Sequence, residues 1–137
     1  MPETTTAIAR TGKEPYTTEI VAGGHKLMAD EPGVLGGSNK GPTPNQLLAA
    51  ALASCTSITL KMYADRKEID LGSIEVIVTM AENTEQKHNY IFSRELRVEN
   101  GQDAAFMARL LTIAEACPVS KLLKAGSHTV LSAWGQR

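Results

Sequence analysis

The segment Pro44–Arg66 constrains the fold more than any other part of the sequence, because its pattern predicts one long apolar helix. Thr43 followed by Pro44 is typical of a helix start, since threonine caps a helix and proline fits its first turn. Apolar side chains then recur at steps of three and four residues, at Leu47, Leu48, Ala51, Leu52, Cys55, Ile58 and Met62. The first half is apolar on all sides, so we predict a central helix with neighbours in several directions.

The rest of the chain predicts short antiparallel strands and two further helices. Alternating or β-favouring runs predict strands at residues 4–10, 16–21, 25–29, 73–80, 90–98 and 129–134. Helical patterns cover residues 103–116 and 119–123, and residues 30–43 have the Gly, Pro, Ser and Asn content of a loop. Because strands and helices do not alternate as βαβ units, we predict a single domain of the α+β class over residues 1–137.

Charge and composition argue against several kinds of partner. Fourteen basic and fifteen acidic residues leave a net charge of −1, which predicts neither a nucleic-acid surface nor attraction to an anionic membrane. The N-terminal residues lack the pattern of a secretory signal, and the apolar run at residues 47–53 is too short to span a bilayer. We therefore expect a soluble, cytoplasmic protein.

Two cysteines, Cys55 and Cys117, are the candidate chemical groups. In a reducing compartment such thiols are either packed and inert or reactive. Cys55 lies within the predicted long helix, between Ser54 and Thr56, where hydroxyl groups can meet a buried thiol. Cys117 directly precedes Pro118 and can cap the next helix, whose dipole and free N–H groups favour a thiolate. About 60 residues separate the two, so they can react together only if the fold brings them into contact.

Two stretches of the sequence resemble the motifs of the OsmC/Ohr family. Residues 41–66 begin Gly-Pro-Thr-Pro-Asn-Gln-Leu-Leu and are similar to the helix motif that holds the family's first cysteine. Residues 114–120 read Ala-Glu-Ala-Cys-Pro-Val-Ser and are similar to the motif of its second cysteine. The similarity extends from residues 22–37 to the end of the chain and is closest to the OsmC-like branch.

The resemblance implies a fold, an assembly and an activity. It implies antiparallel sheets packed around a long central helix, in an interlocked homodimer with a site at each subunit boundary. It also implies an antioxidant thiol peroxidase for small organic hydroperoxides, in which Cys55 attacks the peroxide and Cys117 resolves the sulfenic acid as a disulfide. An external thiol, such as a dihydrolipoyl group, would restore the enzyme, so no cofactor is expected.

The histidines do not predict a metal site. His25, His88 and His128 lie far apart in the sequence and lack the spacing of metal ligands. We therefore expect no metal.

One part of the family pattern is altered in this chain. Efficient members pair an arginine of the first hairpin with a glutamate near the start of the central helix, which together stabilise the thiolate and the leaving oxygen. The glutamate position here falls on Asn45 or Gln46, and the cation position falls on Lys13 or Arg10. Gln46 can still bond a peroxide oxygen or orient a cation, although an amide organises charge less well than a carboxylate. We therefore predict modest peroxidase activity.

Two other functions stay open at this stage. A non-enzymatic relative would bind a small apolar or thiol ligand between subunits, with cysteines that are packed and do not react selectively with iodoacetamide. A glutaredoxin-like reductase would use residues 117–120, but its motif should open the first helix of a βαβ unit, whereas this one follows a helix late in the chain.

Overall fold

The computed structural model describes residues 4–135. Within them the chain forms antiparallel sheets and one long helix, which confirms the predicted α+β class. It divides into two compact units, Met1–Ala50 and Ala51–Arg137, and each is described by itself.

The N-terminal unit contains a three-stranded antiparallel sheet in the order β1-β2-β3. Its strands are β1 (Ala7–Thr11), β2 (Thr18–Ala22) and β3 (His25–Ala29). Gly23 and Gly24 connect β2 to β3 with φ angles of 57° and 77°. Both angles are positive, as a tight hairpin turn requires, and glycine adopts them without strain.

The loop after β3 is organised by the buried carboxylate of Asp30. This carboxylate accepts four hydrogen bonds, from the Thr17 hydroxyl (2.9 Å) and the backbone N–H groups of Glu31 (2.7 Å), Ser38 (3.4 Å) and Lys40 (3.2 Å). Burial raises the pKa of Asp30, but the hydrogen bonds offset it and hold the pKa below its ordinary value. Asp30 therefore stabilises the loop in its charged form.

Acid should weaken the N-terminal unit through Asp30. Because its pKa is lowered by folding, the contribution is present above the unfolded-state value and is lost as the pH falls below about 4. We expect Asp30→Asn to lower the thermal unfolding midpoint at neutral pH and to flatten its decline in acid, measured by circular dichroism. Glu14→Gln is the control, since Glu14 forms an exposed pair with Lys40. An unchanged acid decline in Asp30→Asn would rule out this role.

The long helix α1 spans Pro44–Arg66, with the bounds that the sequence predicted. It begins with a capping box: the N–H of Gln46 donates to Oγ1 of Thr43 (3.1 Å), and the N–H of Thr43 donates to Oε1 of Gln46 (2.9 Å). Among the described residues, α1 is the one helix with the length and composition to cross a membrane, which core helices of soluble proteins also have.

The C-terminal unit contains the remainder of α1, a two-stranded antiparallel sheet and two more helices. They are β4 (Ile74–Glu82), β5 (Tyr90–Val98), α2 (Ala104–Glu115) and α3 (Pro118–Ala125). Its core is formed by the buried side chains of Leu60, Tyr63, Ala64, Leu71 and Leu110. Residues of α1 and α2 thus pack together beside the sheet, where Leu96 and Val98 of β5 border the core.

The predicted strand at residues 129–134 is wrong. Residues 126–135 have no regular secondary structure, and Val130, Leu131 and Trp134 are 90%, 88% and 102% exposed. The apolar residues favour a strand, but a strand needs a neighbour to satisfy its backbone groups. No strand within residues 4–135 pairs with this segment.

Candidate active site

The two cysteines meet in the C-terminal unit. Cys55 lies on α1 and is half-buried, whereas Cys117 precedes α3 and is fully buried. Both thiols are free, and they lie close enough for each to shift the pKa of the other. The expectation that the fold brings them into contact is therefore confirmed.

Cys117 caps helix α3, as its position before Pro118 predicted. Its backbone is extended, with φ −61° and ψ 137°, and its Sγ accepts a hydrogen bond from the N–H of Ser120 at 3.4 Å. Pro118 occupies the first helical position, where no N–H is needed. The sulfur therefore lies at the positive end of the helix dipole, which favours its charged form.

Arg94 of β5 supplies a buried cation beside this cap. Its side chain is only 12% exposed. The guanidinium donates four hydrogen bonds, to Thr56 Oγ1 (3.1 Å), the Ala114 carbonyl (2.9 Å), Glu115 Oε1 (3.2 Å) and Ser120 Oγ (3.2 Å). One side chain thus connects α1 with the end of α2 and the start of α3.

Thr56 links the guanidinium to the buried sulfur. Its hydroxyl oxygen accepts from Arg94, and its single hydrogen has two competing acceptors: the Leu52 carbonyl, 2.7 Å from Oγ1, and the Sγ of Cys117, 3.8 Å from Oγ1. Because the oxygen is already bonded to a cation, its hydrogen is a stronger donor. A negative charge on Cys117 would therefore be stabilised through this hydroxyl.

The surroundings shift the pKa values of the two thiols in opposite directions. Burial raises the pKa of Cys117, but hydrogen bonds from Cys55, the Ser120 N–H and Thr56 offset this and hold it below the ordinary value. Burial is also the largest influence on Cys55, and together with the neighbouring Cys117 it raises the pKa of Cys55. When the pair carries one proton, the negative charge is thus favoured on Cys117.

A cavity of about 250 Å³ opens beside Arg94 in the same unit. Its lining residues are Leu52, Tyr90, Phe92, Arg94, Ser120, Leu123 and Lys124. The wall is largely aliphatic and aromatic, while Arg94 and Lys124 both contact the carboxylate of Glu115 at its polar edge. Such a cavity suits a small molecule with an apolar body and a polar group.

The other predicted site residues belong to the N-terminal unit. Arg10 lies in β1, Lys13 lies in the connection to β2, and Asn45 and Gln46 lie in the first turn of α1. The amide of Gln46 is engaged in the capping box with Thr43. A supporting role for these four residues at the cysteines stays a prediction.

Sequence reasoning missed Arg94. It expected hydroxyl groups such as that of Thr56 to meet a buried thiol, and the thiol that Thr56 meets is that of Cys117. A signal for Arg94 was present, because it interrupts the apolar face that Tyr90, Phe92 and Leu96 form along an alternating strand. A charged residue at an inward position of a strand requires partners, since an unpaired buried charge is costly. Among residues 4–135, no three His, Cys, Asp or Glu side chains lie close enough to hold a metal ion.

The sequence profile of the OsmC-like protein family matches residues 37–132, which is more than half of the chain and includes both cysteines. The chain belongs to the OsmC family. This membership confirms the family that the two cysteine motifs predicted. None of the curated proteins compared with this OsmC-family chain matches it.

Solved structures agree with the fold of this OsmC-family protein. An osmotic stress-induced and detoxification response protein of Psychrobacter arcticus has a TM-score of 0.73 at 21% identity, covering 89% of this chain and 90% of its own. The organic hydroperoxide resistance protein OhrB of Bacillus subtilis has a TM-score of 0.60 at 24% identity, with coverages of 90% and 93%. A redox protein of Lactobacillus casei has a TM-score of 0.60 at 28% identity, with coverages of 89% and 83%.

Proposed function

We propose that this OsmC-family protein is a cytoplasmic two-cysteine thiol peroxidase that reduces small organic hydroperoxides. The observation that carries the proposal is that Cys55 and Cys117 are neighbours, close enough for each to shift the pKa of the other. Two thiols in contact allow a sulfenic acid on one to condense with the other before it is oxidised further. The names of similar proteins, including organic hydroperoxide resistance and redox proteins, support this chemistry.

The first step is the attack of Cys55 on the hydroperoxide. As Cys55 attacks, its proton passes to the sulfur of Cys117, which the site favours as the charged partner. The Cys55 sulfur bonds to the distal oxygen of R–O–OH and the O–O bond breaks. RO⁻ takes up the proton that Cys117 received, so the alcohol leaves and Cys117 is a thiolate again. The half-burial of Cys55 supports this order, because the fully buried Cys117 is closed to a substrate.

The second step is the formation of the disulfide. The Cys117 thiolate attacks the sulfur of the Cys55 sulfenic acid, the S–S bond forms, and the hydroxide that leaves is protonated to water. In sum, two thiols and ROOH give one disulfide, ROH and water. An external dithiol, such as a dihydrolipoyl group, then reduces the disulfide by thiol exchange and is itself oxidised to a cyclic disulfide.

The cavity beside Arg94 is our candidate for the apolar part of the substrate. Its apolar wall, with Leu52 and Phe92, suits the organic group of a hydroperoxide better than hydrogen peroxide. Asn45 and Gln46 replace the carboxylate of efficient family members, so we expect modest activity. The proposal includes assistance to the thiolate of Cys55 by the positive charge of Arg10 or Lys13.

The protein should work as a homodimer, because apolar side chains are exposed on α1 and at the C-terminal end. Ile58 and Met62 are 54% and 57% exposed, and Trp134 is fully exposed. Such patches mark interaction surfaces. We expect sedimentation to give twice the chain mass for the wild type, and Met62→Glu to shift it toward the monomer. Lys67→Glu changes a position that is already polar, so it is the control and should leave the mass unchanged. A monomeric wild type would contradict the prediction.

Turnover of cumene hydroperoxide with dihydrolipoamide tests the proposed function. The proposal predicts hydroperoxide loss that depends on protein concentration and exceeds the loss of hydrogen peroxide under the same conditions. The alternative, a non-enzymatic relative that binds an apolar or thiol ligand between subunits, predicts no turnover and no selective labelling of Cys55 by iodoacetamide. That pair of results would overturn the proposal.

A further inference from the structure

We propose that Arg94 is the positioning residue of the dithiol pair. Its hydrogen bonds fix the Cys117 cap next to α1, and its positive charge stabilises the anionic form of the buried Cys117 sulfur. The peroxidase role of Arg94 rests on the proposed function, whereas its effect on the thiols does not require a hydroperoxide. Arg10 and Lys13, the two candidates for the cation of the family pattern, are not needed for this role of Arg94.

Arg94 makes hydrogen bonds to every element that carries a cysteine. Its Nη1 contacts Thr56, one position after Cys55 on α1, and the carbonyl of Ala114 near the end of α2. Its Nη2 contacts Ser120, whose N–H is the donor to Cys117. The planar guanidinium with its several donors can make these contacts together, whereas a lysine ammonium has a different geometry.

The same contacts place a cation one hydroxyl away from Cys117. Arg94 bonds the oxygen of Thr56, whose hydroxyl lies 3.8 Å from Sγ of Cys117 and 2.7 Å from the competing Leu52 carbonyl. A negative charge on the sulfur favours donation to the sulfur. Glu115 neutralises part of this charge, but its carboxylate also contacts Lys124, so one carboxylate is shared by two cations. The surplus positive charge favours the anionic state of the pair. Because no direct contact joins Arg94 to a sulfur among the described hydrogen bonds, it acts through Thr56 and Ser120.

Burial shows that this arrangement is specific to Arg94 among the arginines of its strand. Arg97 also lies on β5, yet it is 59% exposed and pairs with Glu75 and Glu95 on the solvent side. Such an exposed pair contributes little to stability. Arg97→Met is therefore a matched control, since it removes the same group from the same strand without touching the cysteines.

Thiolate titration of the full-length protein tests the proposal. The ultraviolet absorbance of the thiolate is followed against pH in Arg94→Met, Thr56→Val and Arg97→Met. We expect the first thiolate to form at higher pH in Arg94→Met and Thr56→Val, and at the wild-type pH in Arg97→Met. Disulfide formation by diamide at neutral pH should slow about tenfold in Arg94→Met, as expected for the loss of one charged hydrogen bond.

Two further variants separate positioning from simple loss of stability. Compared with Arg94→Met, Arg94→Lys should bring the pH of thiolate formation part of the way back to the wild-type value. It should recover less of the rate of disulfide formation, since lysine keeps the charge but lacks the planar set of donors of the guanidinium. Thr56→Ser should titrate closer to the wild type than Thr56→Val does, because it keeps the hydroxyl. Circular dichroism shows whether each variant is folded. If Arg94→Met does not fold, the thiolate titration and the rate of disulfide formation in Thr56→Val and Arg94→Lys test the proposal. Folded variants that titrate and form the disulfide as the wild type does would overturn the proposal, whether or not the protein reduces hydroperoxides.

Discussion

Replacing Cys55 with serine is expected to lower hydroperoxide turnover by at least about 1,000-fold, which is the scale on which an enzyme loses activity without its nucleophile. A serine hydroxyl gives up its proton far less readily than a thiol and lacks the polarisable sulfur that attack on an O–O bond requires. Cumene hydroperoxide consumption with dihydrolipoamide measures the loss. Retained turnover in Cys55→Ser would contradict the proposed order of the two cysteines.

Cys117→Ser is the matched control for this experiment, because it removes the partner and keeps the attacking thiol. We expect one equivalent of alcohol to form in the first turnover, followed by arrest. Without Cys117 the sulfenic acid on Cys55 has no neighbouring thiol, so continued peroxide should convert it to sulfinic acid. Steady turnover in Cys117→Ser would show that the external thiol resolves the sulfenic acid directly.

The largest effect on stability is expected from Leu60→Ala. Leu60 is fully buried at the centre of the C-terminal core, beside Tyr63, Ala64 and Leu110. Truncating a packed leucine removes its hydrophobic contribution and leaves a cavity, which costs about 2 to 5 kcal/mol of unfolding free energy. Urea unfolding followed by circular dichroism measures this difference.

Lys61→Ala is the control on the neighbouring position of the same helix. The Lys61 side chain is 63% exposed and pairs with Asp65 on the surface, so its loss should change the free energy of unfolding far less than the loss of Leu60 does. Equal losses in the two variants would show that Leu60 does not lie at the centre of the core.

Local signals predicted the elements that depend on neighbours in sequence. The bounds of α1 followed from Thr43 and Pro44 at its start and the three-and-four-residue repeat behind them. The cap formed by Cys117 followed from Pro118, because proline fixes the start of a helix. The contact of the two cysteines was expected only because the family motifs required it, since sequence spacing alone cannot bring them together.

Features that depend on tertiary neighbours could not be predicted in the same way. The segment at residues 129–134 has strand propensity, but the described chain gives it no strand to pair with. The alternation of the strand puts Arg94 on the face shared by Phe92 and Leu96, but it does not identify the groups that Arg94 contacts. Its four acceptors come from three separate helices, so only the folded chain reveals them.

Mass spectrometry of the wild type after one equivalent of cumene hydroperoxide tests the central claim most directly. Digestion without reduction, after free thiols are blocked, locates the oxidised sulfur atoms, and the alcohol product is counted in the same sample. We predict a Cys55–Cys117 disulfide within one chain and one alcohol formed for each disulfide. Two free thiols with no alcohol formed, or oxidation that leaves Cys117 a free thiol, would contradict the two-cysteine account.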